Sequence, residues 1–218
     1  MDRRLILTGM GATALTLGGV AVTGSFPRLL PYGAAQAQDS EAGPVVTDMV
    51  LGDPNAPVEL IEYASFTCPH CASFHANVMP QLKENYIETG QVRLVYREVY
   101  FDRPGLWAGL VARCAGDMRY FGVVDMLYEN QREWVQGDPA TIAGNLRRIG
   151  LSVGLSNEEL DACFSDADMA QAMITHYEAN MEEYPVQGTP SFIVDGELYS
   201  NMNYDSFAEI LDARLAAQ

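Results

Sequence analysis

The chain has 218 residues, of which 48% are hydrophobic, and its 13 basic and 29 acidic side chains leave a net charge of −16. That length can bury one substantial core. The acidity argues against a nucleic-acid partner, which would need clustered cations, and Lys83 is the only lysine.

In chain order, Arg3-Arg4, a short apolar stretch to about Val22 and Ala35-Gln36-Ala37 predict a cleaved signal over residues 1–37. Gly9, Gly11, Gly18 and Gly19 dilute the stretch too far for a membrane span. Arg3-Arg4 with Arg28 fits a twin-arginine signal, and an ordinary secretory signal is the alternative. Either route leads across a membrane, to where disulfides persist. No cysteine lies near the cleavage site to carry a lipid anchor, so the mature chain is expected to be unanchored. Cleavage removes three arginines and one aspartate, leaving ten basic and 28 acidic residues, a net charge of −18.

Residues 38–57 read as a polar, turn-rich leader with a short strand at Val45–Met49. Val58–Ala64 accumulates apolar residues as a strand buried on both faces does. Phe66-Thr67-Cys68-Pro69-His70-Cys71 follows, then a helical run from Ala72 to Met79 that Pro80 should kink or end. Val92–Tyr100 is a second strand. Trp107, Leu110, Val111 and Cys114 form one helical face, and Tyr120–Trp134 predicts a further helix. Asp138-Pro139 opens Ala140–Ile149, Ser156 with Glu159 makes a capping box, and Asp168–Glu183 is again helical. Ser191–Val194 and Glu197–Ser200 flank Asp195-Gly196 as a tight hairpin, and Tyr204–Leu215 is a closing amphipathic helix. The methionines Met118, Met126, Met169, Met173 and Met181 should pack these helices, and His176 should be a surface or packing residue.

Strand, then CxxC, then helix is the setting of a dithiol redox site. Cys68 would meet the positive end of the helix macrodipole and unpaired N–H groups, which favour thiolate. His70 would stabilise the thiolate further. Cys71, one turn inside, would be shielded and placed to attack a mixed disulfide on Cys68. The order of elements predicts an α/β chain with a thioredoxin-like fold and an inserted helical domain. Its expected parts are a leader at 38–57, halves of the thioredoxin-like domain at 58–103 and 184–218, and the insert at 104–183.

Cys68-Pro69-His70-Cys71, the late Gly188-Thr189-Pro190-Ser191-Phe192 and Glu62, six residues before Cys68, make the sequence similar to the DsbA-like thiol:disulfide oxidoreductases of the bacterial periplasm. The resemblance implies Cys68 as nucleophile and Cys71 as resolving cysteine. It implies His70 as thiolate stabiliser, a cis Pro190 facing the site, and Glu62 as proton partner of Cys71. Thr189, Pro190 and Phe66 would bind substrate. Thr189 stands where the best-known oxidases carry Val and isomerases more often Thr. His75, four residues after Cys71, stands where some relatives have an acid. An even cysteine count outside the cytoplasm, and the second disulfide of some family members, imply a Cys114–Cys163 bond. Implied too are a monomer that uses no cofactor, reduced exported polypeptides as substrates, and a DsbB-type membrane quinone reductase for reoxidation.

Two other readings stand beside this one. The chain could act as a disulfide isomerase or reductase, although a 20-residue leader is short for the dimerisation domain such isomerases usually carry. It could instead be a metal-binding or chaperone-like module. Cys71-x3-His75 has ligand-like spacing, but no second cysteine pair flanks it and Pro190 would crowd a metal. Without the resemblance, Glu62 reads as a satisfied strand carboxylate and His75 as a partly buried or surface histidine. The aromatics Tyr63, Phe66, Phe74 and Phe192 read as core and groove wall.

Overall fold

Strand β2 (Val58–Ala64) is enclosed on both faces because apolar residues occupy both sides of its pleat. It is the middle strand of a five-stranded sheet of order β1-β3-β2-β4-β5, with β1 at Met49–Leu51, β3 at Val92–Glu98, β4 at Ser191–Val194 and β5 at Glu197–Ser200. β3 runs parallel to β2, and β4 runs antiparallel to it with Phe192 opposite Glu62. The computed structural model describes residues 43–218, so the expected signal segment at 1–37 lies outside the described residues.

Helix α1 (Pro69–Asn77) follows β2, and α2 (Met79–Leu82) continues into a π-helical segment, Lys83–Ile87. Between β3 and β4 the chain is helical: α3 (Arg103–Cys114), α4 (Asp117–Glu129), α5 (Gln131–Trp134), α6 (Pro139–Ser152), α7 (Asn157–Ser165) and α8 (Ala167–Glu183). Helix α9 (Tyr204–Leu215) closes the chain. The pleat divides the core. Leu60, Leu94, Phe192 and Val194 pack with Phe74 of α1 and with Phe207 and Leu211 of α9. Ile61, Tyr63, Val95 and Ile193 turn the other way, towards Tyr177 and Met181 of α8. Each large apolar side chain so enclosed contributes about 1.5–3 kcal/mol. A third cluster joins α3, α4, α6 and α7 and reaches Phe66, Cys71 and Tyr96 beside the sheet.

Local chemistry sets the helix starts. Asp138 accepts from Thr141 N at 2.8 Å, and Ser156 and Glu159 close a reciprocal capping box. Asp102, Asp166 and Asn203 cap α3, α8 and α9 in the same way. Asp195 (φ +46°) and Gly196 (φ +86°) both adopt the left-handed conformation that a two-residue hairpin turn requires.

The structure corrects several expectations. The first strand is Met49–Leu51 rather than Val45–Met49. Only these residues find partners on β3, while Asp48 spends its carboxylate on Arg97 (2.9 Å), His176 (2.8 Å) and Asn180 (3.1 Å). His176 is partly buried and hydrogen-bonded to Asp48. β3 ends at Glu98, opposite Ala64, the last residue of β2. The helix expected over Tyr120–Trp134 breaks at Asn130, whose side-chain amide donates to Met126 O at 2.9 Å. Met118 packs against nothing and is fully exposed.

Candidate active site

The β2–α1 junction places Cys68 at the N-cap of α1 in an extended conformation, with Pro69 in the first turn where no N–H is needed. Cys68 N donates to Ser65 O at 3.1 Å. Gln131, buried in α5, donates from Nε2 to Phe66 O at 2.8 Å and to Cys68 O at 2.9 Å, clamping the loop from the helical side. From the opposite side the Thr189–Pro190 peptide bond, which is cis, brings Thr189 O to 3.3 Å from the half-buried Cys68 Sγ. The Thr189 hydroxyl is buried and has no hydrogen-bond partner.

This setting lowers the Cys68 thiol to about 5. The largest cause is the Cys71 thiol, which donates to the Cys68 sulfur. Partial burial opposes it, and Thr189 and the main-chain N–H groups of Cys71 and His70 add to the lowering. Cys71 is fully buried, and its thiol is pushed far up, first by burial, then by Cys68 and by the charge of Glu62. One cysteine is thus built to be a thiolate and its neighbour a thiol; both are free, and about one turn of helix separates them.

Glu62, fully buried on β2, meets His75 of α1, whose Nε2 lies 3.0 and 3.2 Å from its two oxygens. His70 is exposed, and what it offers Cys68 is its main-chain N–H. Its ring lines an open groove with Thr189, Pro190, Leu198 and Asn201. Phe66 does not line that groove. It is 1% exposed, wedged between Tyr96 and Tyr128 at centroid distances of 5.9 and 5.7 Å, which corrects its assignment as a substrate-binding residue. Leu198 of β5 is 42% exposed and presents the apolar surface there instead. A disulfide joins Cys114, the last residue of α3, to Cys163 of α7.

Sequence reasoning missed two residues and one contact. Gln131 and Tyr128 carry no motif and approach the site only through the packing of α4 and α5. The His75 contact with Glu62 had one available signal, its spacing of four from Cys71, which puts both on one face of α1.

In reduced protein, the rate of Cys68 alkylation should rise with pH through a midpoint near 5 and then level off. Thiolate absorbance should follow the same curve, with one titrating sulfur rather than two. A midpoint in the ordinary thiol range would contradict the geometry.

A thioredoxin family model matches residues 45–213. A Rickettsia felis protein named as a putative protein-disulfide oxidoreductase is 34% identical over 174 residues, covering 78% of this chain and 61% of its own length. The chain spans 61% to 63% of the length of three such Rickettsia relatives. Among solved structures, Wolbachia pipientis alpha-DsbA1 aligns at 26% identity and TM-score 0.70, covering 81% of this chain and 94% of that one. A protein-disulfide isomerase from Novosphingobium aromaticivorans aligns at 26% identity and TM-score 0.69, covering 77% and 97%.

Proposed function

The chain belongs to the thioredoxin family, among its DsbA-like members, and on that premise we propose that it is a thiol:disulfide oxidoreductase. In this reading it donates the Cys68–Cys71 disulfide to reduced cysteine pairs of exported proteins. The observation that carries the reading is the inequality of the two sulfurs: Cys68 is half-buried and held near 5, while Cys71 is enclosed and held far up. A low-pKa thiolate makes Cys68 a good leaving group and favours the reduced enzyme, so electrons flow from substrate to enzyme.

An extended substrate would lie in the groove beside Thr189, Pro190 and Leu198, with its sulfur opposite Cys68. His70 would add to thiolate stability through its position at the rim. Reoxidation would come from a DsbB-type membrane quinone reductase. The enzyme would act as a monomer in the periplasm after loss of residues 1–37, by the twin-arginine route if Arg3-Arg4 is read as such. Among the described residues no helix is long and apolar enough to cross a membrane.

A second activity, isomerisation, rests on the unpartnered hydroxyl of Thr189 beside Cys68. One hydrogen bond is worth about 0.5–1.5 kcal/mol, and about 1.4 kcal/mol corresponds to about 30 mV for a two-electron couple. Thr189 can therefore shift the potential by tens of millivolts without reversing the direction of electron flow. Purified oxidised protein should oxidise a reduced test protein rapidly and shuffle a scrambled one weakly. Thr189→Val should alter the potential in glutathione buffers only modestly. A wild-type potential as reducing as that of thioredoxin, or efficient shuffling with poor oxidation, would overturn the oxidase direction.

A further inference from the structure

Cys71 gains and loses a proton in each redox cycle, yet none of its own surface reaches solvent. Building on the oxidoreductase reading, we propose that His75, acting through Glu62, is a positioning and relay residue that moves this proton between Cys71 and the open cleft between α1 and α4.

The geometry is specific. Glu62 is close enough to Cys71 for its charge to disfavour a second anion there. One hydrogen bridges His75 Nε2 and the Glu62 carboxyl, donated by Nε2 to a carboxylate or by a carboxyl to Nε2. The ring is stacked on Tyr128 at a centroid distance of 4.1 Å, which fixes its plane. Its Nδ1 is buried and finds no protein partner. A histidine kept for packing alone has no reason to leave that nitrogen unpaired, because an unsatisfied buried polar atom is costly. The ring also lines a cleft of about 520 Å³ bounded by Ala72, Ala76, Met79, Lys83 and Asp125. The His75 side chain is 5% exposed where that of Glu62 has no exposure, so it is the member of the pair that reaches the cleft.

The other titratable groups facing the pair do not compete. Tyr96 from β3 and Tyr128 from α4 share one hydrogen bond at 2.6 Å, and burial raises both well above the ordinary tyrosine range. Lys83 and Asp125, on opposite walls of the cleft, pair with each other at 2.7 Å. Glu129 lines the same cleft.

In substrate oxidation, a substrate thiolate attacks Cys68 Sγ. The Cys68–Cys71 bond breaks and its electron pair goes to Cys71. Before this step the pair holds one proton beyond a Glu62 carboxylate and a neutral His75 imidazole. The new thiolate takes that proton, leaving carboxylate and neutral imidazole, and the pair recovers one from the cleft through His75. A second substrate thiolate then attacks the substrate sulfur of the mixed disulfide and releases Cys68 as thiolate. Two substrate thiols have become one disulfide, the enzyme disulfide has become one thiolate and one thiol, and one proton is released. When an oxidising disulfide has formed a mixed disulfide with Cys68, the Cys71 proton leaves by the same path as its sulfur attacks.

The test uses purified reduced protein and oxidised glutathione, which form a mixed disulfide on Cys68 that Cys71 must resolve. His75→Ala should slow resolution on the order of 100-fold, the low end of what a positioned proton carrier supplies. It should also change the pH profile of that step while leaving Cys68 alkylation unchanged. The substitution opens space next to the cleft, so added imidazole should restore the rate in proportion to its concentration. His75→Gln can still donate to Glu62 but cannot pass a proton, so it should keep the wild-type melting temperature and remain slow. If His75→Ala folds poorly, His75→Gln alone decides the matter. Wild-type resolution rates with an unchanged pH profile would sink the relay, as would a slow, well-folded Ala variant that imidazole does not help. Failure of the wild-type protein to oxidise any dithiol would instead remove the oxidoreductase reading.

Discussion

Cys68→Ser is expected to abolish oxidation of a reduced test protein, and Cys71→Ser to accumulate mixed disulfides through Cys68. The first change removes the half-buried sulfur that faces Thr189. The second leaves that sulfur at the N-cap of α1 but removes the enclosed thiol that would resolve the adduct. Peptide mapping of trapped adducts should place every one on Cys68. Adducts on Cys71 would reverse the assignment.

The same thiolate has a stability consequence. The folded protein holds Cys68 near 5, against an ordinary value of 9.0. Because the folded value is the lower one, the thiolate's stabilising contribution is fully present above about pH 9 and is lost as pH falls through about 5. The melting temperature of reduced protein, measured against that of the disulfide form, should therefore decline across that window. A flat difference would mean that Cys68 is not held as thiolate.

Arg113→Met is the substitution away from the reacting sulfurs with the largest expected effect on stability. Glu98 ends β3 with its side chain 3% exposed, and Arg113 of α3 meets both of its oxygens, with Nε at 3.0 and 3.1 Å. Arg113 also donates to Thr47 O at 3.1 Å, and the Tyr120 hydroxyl donates to Glu98 at 2.8 Å. One ion pair thus ties the sheet, the helical segment and the chain before β1. Removing the guanidinium leaves a buried carboxylate with one neutral donor, which costs roughly 3–5 kcal/mol. For a chain of this size that is a fall of about 6–20 °C in melting temperature. Adding Glu98→Gln should recover much of the loss, because the amide is neutral and still accepts from Tyr120. A single variant that melts within a degree or two of wild type would show that the pair contributes little.

The redox site was legible in the sequence because its chemistry is local. Strand, CxxC and helix are consecutive, so the helix N-terminus that lowers Cys68 and the turn that buries Cys71 are both set within a few residues. The hairpin at Asp195-Gly196 and the capping box at Ser156 were legible for the same reason, since each is closed by residues at fixed short spacing. Elements whose limits depend on a distant partner were less so. β1 begins where β3 offers a ladder. The Tyr120–Trp134 helix was less legible for the opposite reason: it breaks at Asn130, where a local side-chain bond to Met126 O sits inside an otherwise continuous apolar period. Phe66, next to the motif, looked like groove wall but is drawn inward by the rings of Tyr96 and Tyr128.

By itself, then, the sequence determined the order of strands and helices and the identity of the reactive pair, because periodicity, capping and the CxxC spacing act over a few residues. Tertiary structure alone decided what surrounds that pair. Gln131 comes 63 residues after Cys68 to hold its carbonyl, and Thr189 comes 121 residues after to face its sulfur. Glu62 and His75 meet across a strand and a helix. These contacts are made by packing layers against each other, and apart from the four-residue step from Cys71 to His75 no spacing along the chain points to them.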